Sequence, residues 1–245
     1  MTTIVFDFDG VIFDTVYETL FISYNVYKGN DPLTAQPIYE IPESFRNRFI
    51  KYRYLVADPI QFKWLWSSIE KVSENKIEAS FYKLLEGGKK QDELFIEQFF
   101  SFREELKKTH LDTWLSLCKP YPFVVNFIKT INKEIPVYIS SNKDESSIHF
   151  LLTHANIKIA LNNVFGMEHG AFKPDHFKEI SQKSAHSFKE ILFIEDNFKN
   201  FNGISELGVQ CYLATWGYNN PSQNVRDVKS SYTFINQEDL FSLLK

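Results

Sequence analysis

Only two cysteines occur in the 245 residues, Cys118 and Cys211. They lie far apart and belong to no CxxC or Cys/His cluster, so neither a zinc site nor a disulfide framework is suggested, and a reducing cytosol is the default compartment. Glycine and proline are sparse as well, nine of each. No Gly/Ser linker, low-complexity tract or internal repeat occurs, so domain boundaries must come from changes of pattern. No apolar run approaches the ~20 residues needed to cross a bilayer. The first expected strand starts at Ile4, which leaves no room for a charged leader and an apolar signal segment. The expectation is a soluble, cytoplasmic chain with no membrane partner. A basic excess is missing too: the formal net charge is -4, a balance that does not favour nucleic acid. Neither GxxxxGK nor GxGxxG is found, which removes the P-loop and dinucleotide readings. The six histidines form no metal-ligand spacing.

What the chain does have is apolar and aromatic residues, 44% and 16% of the total. That suffices for a full core and fits one large domain or two modest ones. Ile4–Phe8 reads as a strand. A helix follows over about 17–29, ending at Gly29, and then a loop punctuated by Pro32, Pro37 and Pro42. From Glu43 to about Leu117 every stretch carries apolar residues at helical spacing with charges between them. After Pro120 and Pro122 the pattern alternates: helix FVVNFIKTIN, strand PVYIS, helix ESSIHFLLTHA, a short strand near VFGM, helix PDHFKEISQK, strand EILFIE, helix FNGISEL and strand VQCYLA. Strands alternating with helices predict an α/β fold, a parallel sheet with right-handed crossovers and helices on both faces. The first strand finds no partner until Pro136, so an all-α module interrupts the sheet domain. The expected division is a core of residues 1–15 and 120–245 with a helical insertion over 16–119.

Ligands of open parallel sheets bind beyond the carboxyl ends of the strands. The first strand ends in Asp7 and Asp9, which project to one side of an extended chain. Two like charges that close are costly unless a cation or a proton sits between them. The second strand ends in Ser140, Ser141 and Asn142, and the fourth in Glu195 and Asp196. Lys173 precedes a helix after the short third strand. Hard oxygen ligands from Asp7, Asp196 and Glu195 suit Mg²⁺. Hydroxyls and free amides at a helix start suit phosphoryl oxygens, and Lys173 adds a point charge for a group carrying roughly -1.5 to -2. Strand length leaves open whether Ser140 or Ser141 is the binding hydroxyl, and either could also cap the helix that follows.

The set DFDGVIFDT, VYISSN, FKPD and ILFIED, in this order, resembles the four motifs of the haloacid dehalogenase superfamily. Its phosphatase members have a Rossmann-like core and an α-helical cap inserted after the first motif. The resemblance implies that Asp7 is a nucleophile forming an aspartyl phosphate. It implies that Asp9 protonates the leaving oxygen and then deprotonates water, its backbone carbonyl joining Asp7, Asp196 and Glu195 around Mg²⁺. Ser140 or Ser141, with Asn142 and Lys173, would hold the phosphoryl group. Asn200 stands where many relatives carry a second aspartate, and Phe123 where glycine is usual. Asp9 also separates branches of the family, since the carbon-attacking dehalogenases lack an aspartate there. The resulting expectation is a Mg²⁺-dependent phosphatase acting on a small phosphorylated metabolite enclosed between core and cap, as a monomer or small homo-oligomer. A phosphomutase and a catalytically silent binding module of the same fold stay open as alternatives. Arg46, Arg48, Lys51 and Arg53 read as a solvated helical face. Trp64, Trp66, Phe99 and Phe100 read as the insertion's own core.

Overall fold

In the computed structural model the described residues are 2–87, 93–131, 134–170, 172–219 and 232–244. They divide into two compact units, Met1–Asp14 with Lys119–Lys245, and Thr15–Cys118.

The first unit is built on strand β1 (Thr3–Phe6), whose four residues are all buried. A strand buried on both faces is typical of a parallel sheet covered by helices. The chain leaves through a two-residue strand, β2 (Phe13–Asp14). The second unit follows, with helices α1 (Val16–Lys28), α2 (Glu43–Tyr52), α3 (Ile60–Lys71), α4 (Ile77–Gly87), α5 (Glu93–Thr109) and α6 (Leu111–Ser116). The chain returns through β3 (Lys119–Pro120), which pairs antiparallel with β2. Then come α7 (Pro122–Ile131), β4 (Val137–Ser140), α8 (Glu145–His154), β5 (Val164–Phe165), α9 (Lys173–Ser184), β6 (Ile191–Glu195), β7 (Gln210–Ala214) and β8 (Tyr232–Ile235). The sheet order is β5-β4-β1-β6-β7-β8, with every neighbouring pair parallel. β1 therefore sits inside the sheet, in register with Val137 on one side and Leu192 on the other at Ile4. After β5 the chain crosses back over β1, and ligands of such sheets bind at this kind of reversal.

Three local readings differ from the expectation. β1 stops at Phe6 rather than Phe8. Beyond it the amides of Ile12 and Phe13 both turn back to the Phe8 carbonyl, at 2.9 and 3.0 Å, and Gly10 takes a φ of 81°, a conformation open to glycine at no steric cost. The segment FNGISEL holds a 3₁₀ turn, Ser205–Leu207, instead of an α-helix, and a second 3₁₀ turn, Phe198–Phe201, ends at its first residue. Gly203, at φ 77°, interrupts it, and a Cβ there would lie 2.8 Å from Pro174 Cγ. Strand β8 has no counterpart in the sequence reading.

The second unit holds an aromatic stack. Phe49 lies between Trp66 and Phe62, with centroids 4.7 and 5.8 Å away, and Phe62 stacks on Phe99 at 5.5 Å. Trp66 and Phe99 are core residues, while Trp64 and Phe100 are half-buried. Three basic residues of α2 and the turn after it, Arg48, Lys51 and Arg53, are used within this unit. Arg48 donates to the Ile69 carbonyl, Lys51 pairs with Glu74, and Arg53 donates to the Val56 carbonyl with its guanidinium over Phe62. A buried ion pair ties α1 to α5: Arg103 Nε lies 2.6 Å from Glu18 Oε1, which also accepts from Trp114 Nε1 at 3.1 Å.

Candidate active site

β1 delivers Asp7 to the carboxyl end of the sheet. The Asp7 amide still donates to the Ile194 carbonyl at 2.9 Å, so its side chain is placed by the sheet although the strand has formally ended. Asp9 follows two residues on, with its side chain 17% exposed, and its Oδ1 lies 3.3 Å from Lys143 Nζ. The Lys143 side chain is fully buried.

Lys173 opens α9, and Pro174 behind it fixes the backbone for the first turn. Its ammonium lies 3.1 Å from Asp7 Oδ1 and 2.7 Å from Glu195 Oε2. Glu195, the last residue of β6, accepts four hydrogen bonds. Oε1 takes the amides of Asp196 and Asn197, both at 3.0 Å, and Oε2 takes Lys173 and, at 3.0 Å, Asn200 Nδ2. Asp196 accepts from the Tyr218 amide at 2.5 Å, and Tyr218 reaches back with its hydroxyl to Asp14 Oδ1 at 2.9 Å. Two glycines make room for Asp196. A Cβ on Gly10 would lie 2.2 Å from its Oδ2, and one on Gly217 2.3 Å from its Cβ.

At the end of β4 the two serines part. Ser140 Oγ is 2.9 Å from His176 Nδ1 on α9. Ser141, beyond the strand, donates its amide to the Phe165 carbonyl and accepts the Lys143 amide on Oγ at 3.3 Å. Asn142 is half-buried between Ser141 and Lys143. Neither serine caps the helix that follows: Asp144 does, accepting from the Ser147 amide.

Asp7, Glu195 and Asp196 can each place a carboxylate oxygen within 4.8 Å of the others. Burial, then Glu195, then Asp9 push the Asp7 carboxyl up to about 7 against the pull of Lys173. Burial, Glu195 and Asp7 push Asp196 upward as well. Burial alone would lower Lys173, but Asp7 and Glu195 outweigh it and hold the ammonium above its usual range. Four acidic side chains, Asp7, Asp9, Glu195 and Asp196, thus meet two buried lysines, Lys143 and Lys173. The ionised set carries two negative charges in excess, the deficit that one divalent cation would fill. Its donors are hard oxygens, the kind Mg²⁺ takes.

The sheet therefore brings Asp7, Glu195, Asp196 and Lys173 into one buried group. Asp9 borders that group through its own lysine. Ser141 and Asn142 lie in the loop that carries this lysine, and the Ser140 hydroxyl is committed to His176. The sequence reading missed Lys143, His176 and Tyr218. The one signal for Lys143 is its place directly after Ser141-Asn142 at a strand end.

The family model described as haloacid dehalogenase-like hydrolase matches residues 1–208. Among curated proteins, none matches the chain in sequence. Solved structures are similar at low identity. A haloacid dehalogenase-like family hydrolase from Streptococcus pneumoniae is 15% identical with a TM-score of 0.64, covering 100% of this chain and 99% of its own. A predicted phosphoglycolate phosphatase from Haemophilus somnus is 15% identical with a TM-score of 0.61, covering 100% and 98%. A predicted phosphatase from Clostridium acetobutylicum is 12% identical with a TM-score of 0.62, covering 99% and 97%. Likeness at this identity is likeness of fold. No described helix is long and apolar enough to cross a membrane.

Proposed function

This chain belongs to the haloacid dehalogenase-like hydrolases, and from that premise we propose that it is a phosphatase, cleaving a small phosphorylated metabolite through an aspartyl phosphate on Asp7. The observation that carries the proposal is the pair of acids with separate lysines: Asp7 against Lys173 at 3.1 Å and Asp9 against Lys143 at 3.3 Å. One carboxylate is positioned to attack and the other to move protons, a recognised division of labour.

The Asp7 carboxylate attacks phosphorus as the P–O bond to the leaving group breaks, and Asp9 delivers its proton to the departing oxygen. Water then attacks the phosphoryl group and gives a proton to Asp9, which frees Asp7 and inorganic phosphate. Asp9, with its side chain 17% exposed, is the more open of the two acids, as a group that exchanges protons with substrate and water must be. Lys173 and the Ser141 hydroxyl, with Asn142 beside it, hold phosphoryl oxygens, and Lys173 favours the ionised form of the nucleophile. Glu195 spends its oxygens on Lys173, Asn200 and two amides, so it orients the lysine and adds charge to the cation site. Mg²⁺ would be held by Asp7, Asp196 and the backbone carbonyl of Asp9, with Glu195 alongside. Bound there, it supplies positive charge that offsets the carboxylates and the phosphate.

The test is a panel of phosphomonoesters assayed with Mg²⁺ and again with chelator. Release of phosphate that depends on the metal supports the reading. Interconversion of sugar phosphates with little free phosphate would replace it by a phosphomutase, and inertness across the panel by a binding module.

A further inference from the structure

His176 lies one turn beyond Lys173 on α9 and is 1% exposed. Its two ring nitrogens meet different partners. Nε2 is 2.9 Å from the Gly170 carbonyl oxygen, which can only accept, so Nε2 carries the hydrogen. Nδ1 is 2.9 Å from Ser140 Oγ, and in a neutral ring it must accept while the serine hydroxyl donates. One imidazole thus links the end of β4, the turn before α9 and the first turn of α9. Those segments carry Ser141 and Lys173.

Apart from the ion pairs of Lys173 with Asp7 and Glu195, the packing of α9 on the sheet is of another kind. Phe177 and Ile180 pack into a cluster with Tyr138, Phe165 and Phe193. Apolar packing of this sort is non-directional. The hydrogen bonds of His176 have direction. A fully apolar ring would fill the same space, and a polar one is costly there unless both nitrogens are satisfied. Both are. The charged groups around the ring are Lys173 and Asp175 on its own helix and His169 on the turn before it. Burial, Lys173 and His169 hold the imidazole below its ordinary range, in keeping with a ring that stays neutral.

We infer that His176, as the neutral Nε2–H tautomer, is a positioning residue that fixes the Lys173 ammonium relative to the Ser141 loop. Its effect on turnover rests on the phosphatase reading above; the tautomer and the effect on Lys173 do not. Ser140 acts through this link and does not touch the phosphoryl group.

The test uses the full chain labelled with ¹⁵N. In the wild type, long-range imidazole spectra are expected to show Nε2–H and a ring that stays neutral through the ordinary histidine range near ~6.5. Ser140→Ala is expected to shift both the His176 Nδ1 and the Lys173 Nζ resonances. In phosphoester assays, Ser140→Ala and His176→Phe should each lower kcat by up to about 100-fold, the cost of a small misplacement, with KM nearly unchanged and the double variant no worse than either. His176→Asn, whose Oδ1 can accept from Ser140, should keep most of the activity and serves if His176→Phe fails to fold. An Nδ1–H tautomer, a Lys173 signal indifferent to Ser140→Ala, or a rise in KM with intact kcat overturns the inference. A wild type that hydrolyses no phosphoester overturns the phosphatase reading, while the spectra still decide the tautomer and the link to Lys173.

Discussion

Asn200 donates its side-chain amide to Glu195 Oε2 across 3.0 Å, on the same oxygen that Lys173 reaches at 2.7 Å. Amide and acid are matched, and a carboxylate in place of the amide would face Glu195 with like charge. Asn200→Asp is therefore expected to lower kcat/KM about 10-fold and to reduce the melting temperature, whereas Asn200→Ala, which leaves Glu195 three donors, should do less. Both variants lose the hydrogen bond to Glu195, and the further loss in Asn200→Asp comes from the like charge placed beside it. Steady-state kinetics and thermal melts on both variants check it.

Asp7→Asn keeps the shape of the side chain and removes the attacking oxyanion. Turnover is expected to fall by at least about 10³-fold, while the melt is not lowered, because one of three crowded carboxylates has gone. Undiminished turnover would sink the mechanism.

Asp9→Asn separates proton transfer from attack. Alkyl phosphates, whose leaving oxygens need a proton, should lose about 10²–10⁴-fold in rate. p-Nitrophenyl phosphate needs far less help in the first step. It should give a burst of nitrophenol followed by slow turnover, since the water step still lacks its base. Equal losses on both substrates would remove Asp9 from the acid role.

The carboxylate cluster is expected to make stability depend on pH and metal. Asp7 is pushed up to about 7 in the folded chain from an ordinary value of 3.8, and Asp196 is raised as well. A raised carboxyl is better tolerated protonated than ionised, so the metal-free protein should lose stability as pH climbs from the ordinary value through about 7. Mg²⁺ should reverse that loss, adding about 2.7 kcal/mol at 100 times its Kd, and its stabilisation should shrink in acid. Melts across pH with Mg²⁺ and with chelator read both effects.

In the helical unit the Glu18–Arg103 pair is buried, with side chains 0% and 4% exposed. Removing one partner strands a buried charge. Arg103→Met should destabilise the protein by about 3–5 kcal/mol, and Glu18→Gln by less, since the amide oxygen can still accept from Trp114. Denaturant titration of the two variants tests the order.

The fold was legible where its physics is local. β4, β6 and β7 are short apolar runs bounded by polar residues, as strands covered on both faces should be. Gly29, at φ 77°, closes α1 as expected. The acids Asp7, Glu195 and Asp196 are legible because each stands at or just beyond a strand end, where a parallel sheet exposes its ligand edge. β8 is not legible, because Thr233 and Phe234 are exposed and only Ile235 is buried, a pattern without alternation or a continuous apolar run. Lys143, His176 and Tyr218 escape for a different reason. The partners of the latter two lie 36 and 22 residues away, and nothing in their neighbouring residues announces the contact, while for Lys143 only its place after Ser141-Asn142 hints at one.

The position of β1 has a consequence for the order of assembly. It precedes both of its neighbours in the chain by more than a hundred residues, since Ile4 pairs with Val137 in β4 and with Leu192 in β6. Pairings so distant in sequence are slow to form, and during synthesis β1 must wait with its apolar side chains uncovered until most of the chain has emerged. The helical unit, residues 15–118, lies between β1 and these neighbours in the chain and is synthesised before either neighbour. On the proposed reading, a truncated chain lacking β6 would carry Asp7 but no site, and the nascent protein would stay inert as a hydrolase until Asp196 has left the ribosome.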